Sequence, residues 1–149
     1  MSDFFAERCC DRCVTDNNID PAALRGVAEQ LATEAAEFVR RRRIEVFGAG
    51  DPNDAGQADD EVRTVRSKSS PTDPVTIVDT ETERWLRERL AVLRPGDEVL
   101  GEEEGGRGGS DGLRWVIDPI DGTVNFVYGI AAYAVSVAVQ LDGRSVAGA

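Results

Sequence analysis

Histidine is absent from this sequence, and cysteine is confined to Cys9, Cys10 and Cys13. Without histidine there is no Ser-His-Asp or Cys-His mechanism and no imidazole-ligated metal within the chain. An odd number of cysteines clustered in one short stretch is not a disulfide framework. It also falls short of the four Cys/His ligands of a structural zinc site. No apolar run is long enough to cross a bilayer. The first residues offer neither a basic n-region nor an apolar h-region, so no secretory signal is read and the expected location is the cytoplasm. Positive charge is scarce: 17 Lys and Arg stand against 28 Asp and Glu, a net charge of −11. That balance argues against nucleic acid or an anionic membrane surface as a partner. It suits a protein that needs cations, and oxygen atoms are the ligands that remain.

What is present reads as globular. The 149 residues are 41% apolar and 30% charged, enough for one domain or one lobe of a larger one. Residues 1–18 show no period and read as a loose extension, leaving 19–149 as the folded part. Asp20-Pro21 reads as an N-cap and first helical position. Leu24, Ala28, Leu31, Ala35 and Phe38 follow at helical spacing and define an apolar face. Arg40 to Arg43 are expected in the last turns, where cations suit the helix dipole; they read as a solvated end or an anion patch.

Residues 48–60 are turn formers and acids and read as a loop. The segment 62–70 is β-branched and polar, expected as a strand, and 70–79, with two prolines, is expected as a loop. A second amphipathic helix is predicted from Thr80, with Glu83 closing a capping box. Its inner stripe is Leu86, Leu90 and Leu93, and Arg94-Pro95-Gly96 ends it. Short strands are expected over "EVLG" and "LRWVID", and a long one over 132–141. Asp142-Gly143 is a two-residue hairpin signal. Helices followed by strands with hairpin-type links suggest an α+β layered fold, two helices on a mostly antiparallel sheet.

Acids gather where apolar strands are expected to end. Asp79 follows "VTIV", Glu102-Glu103-Glu104 follow "EVLG", and Asp118 and Asp121 follow "WVI". Carboxylates converging at strand ends repel one another unless cations intervene. Oxygen ligands suit Mg²⁺ or Ca²⁺. In Asp118-Pro119-Ile120-Asp121 the proline stiffens the backbone, so two carboxylates and the Ile120 carbonyl can face one side. Gly122 permits close approach, and the N–H groups from Thr123 onward form a natural phosphate cradle. Cations between carboxylates and a phosphate make a two-metal hydrolysis site. Asp79 alone reads equally as a helix cap.

"DPVTIVD", "GEE" and "WVIDPIDGTVNF" together closely resemble the inositol monophosphatase family of Mg²⁺-dependent, lithium-sensitive phosphatases. The resemblance runs from about residue 22 to Ala149. It implies a layered αβαβα sandwich, of which this chain is the N-terminal lobe. It also implies roles. Glu102, Asp118 and the Ile120 carbonyl would hold the first Mg²⁺. Asp118 would bridge to a second, held by Asp121. Asp79 and Thr123 would activate the attacking water, with Glu103 a supporting candidate. Gly122 and Thr123 N–H groups, beside Asp121, would hold the phosphate. Lys68 would sit near a more weakly held metal, and Asp73 close by.

The family's later Trp-Asp-x-Ala-Ala motif has no match here, since neither Trp85 nor Trp115 precedes an aspartate. The chain is therefore expected to be a fragment of a longer enzyme, poorly active alone, its N-terminal extension an over-extended start. The implied reaction is Mg²⁺-dependent hydrolysis of a small phosphomonoester by a metal-activated water, inositol 1-phosphate first. Fructose 1,6-bisphosphate, histidinol phosphate and 3′-phosphoadenosine phosphates are alternatives. A non-catalytic partner-binding or remnant protein is the competing reading. A homodimer is implied only for the full-length form.

Overall fold

The structure, a computed structural model, describes residues 19–48, 65–67, 74–106 and 111–149. Helix α1 (Pro21–Phe47) begins where the sequence places it: the Asp20 side chain accepts the Ala22 N–H at 3.1 Å, and Pro21 occupies the first turn. Its buried stripe is Leu24, Ala28, Leu31, Ala35 and Val39. Val39, not Phe38, takes the last core position. Phe38 turns aside and stacks on Trp85, ring centroids 6.1 Å apart. The helix also outruns the arginines by four residues, so its last turn holds no basic side chain. Arg42 instead pairs with Glu81 at 2.8 Å, and the Arg43 Nε donates to the Phe126 carbonyl at 3.1 Å.

Residues 65–67 and 74–76 form a small antiparallel pair, β1 (Val65–Ser67) and β2 (Pro74–Thr76). The rest of the strand expected over 62–70, the loop over 49–60 and the extension 1–18 lie outside the described residues. Helix α2 (Ile77–Leu93) starts earlier than predicted. Its capping box is Thr76 with Asp79, not Thr80 with Glu83. Both pairs have the same spacing; Thr76 prevails because β2 delivers the chain to it in extended conformation. Of the predicted loop over 70–79, residues 74–79 are a short strand running into a helix, and 70–73 lie outside the described residues.

The main sheet has the order β3 (Glu98–Gly101), β4 (Leu113–Asp121), β5 (Ala134–Leu141), β6 (Arg144–Gly148). Its β4–β5 and β5–β6 pairs are antiparallel, while β3–β4 is parallel, a pairing that hairpin-type reading does not anticipate. Asp142 and Gly143 both have positive φ, at 49° and 76°, and close the β5–β6 hairpin as predicted. Trp115 and Ile117 on β4, and Val137 and Val139 on β5, alternate onto one face. There they meet Leu24 to Ala35 of α1 and Leu86 and Leu90 of α2. The helices thus cover one side of the sheet, and α1 and α2 pack on each other.

Trp115 is the largest wholly buried side chain, and its Nε1 donates to Asp97 at 2.9 Å. Trp115→Ala is expected to destabilise the chain by about 3–5 kcal/mol, measured as a lower urea midpoint.

Candidate active site

The parallel β3–β4 pair creates the site. Its register runs Glu98↔Arg114 to Gly101↔Ile117. The residue after β3 is Glu102 and the next position on β4 is Asp118, so two acids stand side by side where β3 ends. Ligand sites in such sheets occur at the C-terminal ends of strands. Glu102 and Asp118 share a side-chain hydrogen bond.

β4 then departs from its regular register between Asp118 and Asp121. Pro119 lies inside that irregularity, where a missing N–H costs nothing. The Asp118 Oδ1 accepts the Ile120 N–H at 3.1 Å, folding the side chain back over the proline. Gly122, at φ 92°, turns the chain into α3 (Thr123–Val127). A Cβ there would lie 3.0 Å from the Ala132 carbonyl, so both conformation and space require glycine. Phe126 anchors α3 in a second apolar cluster with Val39, Val78 and Ile120.

Removal from water pushes the Asp118 carboxyl up to about 7, helped by the Glu102 charge and hydrogen bond and then by Asp121. The Ile120 N–H pulls the other way. Among the described residues, no positive charge offsets the two acids that face Asp118.

Asp79, expected at a strand end, stands in the first turn of α2 and is buried. Its Oδ2 accepts the Thr76 N–H at 2.9 Å and the Thr76 hydroxyl. Its Oδ1 accepts the Thr123 hydroxyl at 3.0 Å. Burial nevertheless pushes its carboxyl upward. The Thr123 Oγ is also 3.0 Å from the Ile120 carbonyl. One hydroxyl proton cannot serve both fully, and an ionised Asp79 is the stronger acceptor. The helix cap and the candidate site carboxylate, alternatives in the sequence, thus fall on one residue, which caps α2 and accepts from Thr123.

The structure therefore joins Asp79 to Thr123 and Glu102 to Asp118, with Ile120 linking the two pairs. Asp121 is exposed beside them. Among the described residues no three carboxylates converge tightly enough to form a cation cage. The donors fit a hard cation nonetheless: two paired carboxylates and a nearby peptide carbonyl, all oxygen, with mutual repulsion that a cation would relieve. The Glu103 side chain is half-buried, and its N–H donates to Glu83 at 2.6 Å. Lys68 and Asp73 lie outside the described residues. Sequence reading missed Thr76, hidden in an expected loop, and Glu83, assigned to a cap. The Thr76-to-Asp79 spacing, itself a capping-box pattern, was the available signal for the first.

No helix among the described residues is long and apolar enough to cross a membrane. The chain is 65% identical over 141 residues to an inositol-1-monophosphatase of Mycobacterium leprae, covering 91% of this chain and 46% of that protein. A histidinol-phosphatase of Mycobacterium tuberculosis is 49% identical over 70 residues, 47% of this chain and 27% of its own length. The solved structure of Mycobacterium tuberculosis SuhB superposes with a TM-score of 0.62 at 53% identity, covering 87% of this chain and 40% of that one. The chain thus spans less than half the length of these relatives. The sequence model of the inositol monophosphatase family matches residues 20–149, which include the Asp79–Thr123 and Glu102–Asp118 pairs and every described strand, and the chain belongs to that family.

Proposed function

We propose that this chain carries the cation-binding and water-activating part of a Mg²⁺-dependent phosphomonoesterase acting on inositol 1-phosphate. The observation that carries the reading is the Glu102–Asp118 pair where β3 ends beside β4. Glu102, Asp118 and the Ile120 carbonyl would hold one Mg²⁺, and Asp118 with Asp121 a second. When bound, the cations would supply positive charge for the phosphate and for the developing leaving group.

The chain's own residues divide the remaining work. The Thr123 hydroxyl donates to Asp79 and keeps its lone pairs for a water proton. As that proton arrives, Thr123 would pass its own to Asp79. Burial raises the proton affinity of Asp79, which suits it to receive one. Gly122 and Thr123 N–H groups would hold a phosphate oxygen. Glu103 is proposed only as support for the neighbouring Glu102. Lys68 is proposed as an accessory group near a further cation.

Histidinol phosphate is the second substrate reading, because a histidinol-phosphatase also matches. The longer and stronger match to an inositol-1-monophosphatase favours inositol phosphate. The test is phosphate release by the natural gene product from each substrate, with Mg²⁺ and with a chelator. Mg²⁺-dependent release, greater from inositol 1-phosphate, is the expected result. No release from either compound at any Mg²⁺ concentration would sink the reading.

A further inference from the structure

Glu83 belongs to neither the Asp79–Thr123 nor the Glu102–Asp118 pair, yet it is wholly buried, at 0% exposure. A buried carboxylate persists only where donors and opposite charge meet it. Arg87, one helical turn on, donates from Nε at 2.9 Å and Nη2 at 2.8 Å to Oε1. The Glu104 N–H reaches the same oxygen at 3.0 Å, and the Glu103 N–H reaches Oε2 at 2.6 Å. Arg87 itself donates onward to the Val99 carbonyl at 3.3 Å and the Gly105 carbonyl at 2.5 Å. It also faces the Glu104 carboxylate at 3.5 Å.

These contacts share a target. All the backbone groups belong to β3 or the turn after it, on both sides of Glu102. Two adjacent N–H groups are taken by Glu83 and two flanking carbonyls by Arg87. The turn is also closed by the Gly101 N–H on the Gly105 carbonyl at 3.0 Å. The fit leaves no room at Gly101, where a Cβ would lie 2.1 Å from the Glu83 Oε1. Because the bonds go to backbone, they define the path of the turn whatever side chains it carries.

We propose that Glu83, backed by Arg87, is a positioning residue that holds the Gly101–Gly105 turn so that Glu102 stands beside Asp118 as a cation ligand. Without such a clasp, repulsion from Asp118 and Asp121 would drive Glu102 outward when no cation is bound and the carboxyls are ionised. The clasp adds no net charge, since Arg87 neutralises Glu83. It therefore preorganises the turn without deepening the negative field. Support of this kind, behind a ligand, commonly changes metal affinity by about 10–100-fold when removed. The inference rests on the phosphatase reading of the site.

The experiment is Mn²⁺ titration of the full chain, followed by electron paramagnetic resonance, with circular dichroism confirming the fold of each sample. Mn²⁺ shares the oxygen preference of Mg²⁺ and reports binding without turnover. Glu83→Gln keeps the shape but turns an N–H₂ toward a backbone N–H that needs an acceptor. Arg87→Lys keeps the charge but loses the fork. Each folded variant is expected to bind Mn²⁺ about 10–100-fold more weakly than the parent chain. If Glu83→Gln does not fold, Arg87→Lys decides. Folded variants that bind as tightly as the parent would overturn the proposal while leaving the phosphatase reading intact. A parent chain that binds no Mn²⁺, or a Glu102→Gln variant that binds as tightly as the parent, would overturn both.

Discussion

Asp118→Asn is expected to lower phosphate release by the natural gene product by on the order of 10²–10³-fold, because it removes the charge shared by both proposed cations. The same change is expected to stabilise the cation-free chain near neutral pH. The sign follows from the carboxyl's position. Its folded value, about 7, lies above the ordinary carboxylate value, so the folded state keeps the proton longer than the unfolded state. The stability from that proton is fully present below about pH 4 and is lost as pH rises to about 7. Asn carries no such proton, so its melting temperature should fall less than the parent's over that window, the remaining fall coming from groups such as buried Asp79. Asp118 is half-exposed, so water screens part of the effect. Cation affinity of the parent should rise through the same window, as bound metal competes with the proton. Thermal melts and Mn²⁺ titrations at pH 5, 6, 7 and 8 would check both signs. A variant that melts lower than the parent at pH 8 without cation would show that Asp118 is not under the repulsion argued here.

Asp79→Asn is expected to separate two jobs held by one residue. An amide keeps one acceptor oxygen, so the capping box weakens without vanishing. The loss should be about 1–3 kcal/mol, since at least one donor from Thr76 or Thr123 loses its charged partner. Phosphate release should fall much further, by about 10²–10⁴-fold, because an amide cannot receive the proton passed through Thr123. A variant with full turnover and only lower stability would reduce Asp79 to a helix cap. Thr123→Ser, which keeps the hydroxyl, should retain most turnover and serves as the matched control.

Much of this site was legible before any coordinates. The Asp118 to Thr123 run, a stiff proline, two acids, a glycine and a hydroxyl, stood out together with the acids after "VTIV" and "EVLG" and through the family resemblance. Asp20-Pro21 and Asp142-Gly143 were equally readable, because capping and tight turns depend on a few neighbouring residues. The start of α2 was not. Thr76-x-x-Asp79 and Thr80-x-x-Glu83 have the same local form, and only the entry of β2 and the burial around Asp79 favour the first. Phe38 and Val39 differ by one helical step, and the choice between them rests on whether Trp85 is present to cover the ring.

Local chemistry, then, set what the candidate site offers: acids whose oxygens suit a hard cation, and a glycine turn after them. It did so because those properties belong to single residues and to spacings of a few positions. The pairing of Glu102 with Asp118 was decided by the parallel register of β3 and β4. The capture of the Glu103 and Glu104 amides was decided by the rotation of α2 that buries Glu83. Both join residues that are separated along the chain, and sequence spacing cannot specify such contacts until the sheet order and the helix face are set by packing.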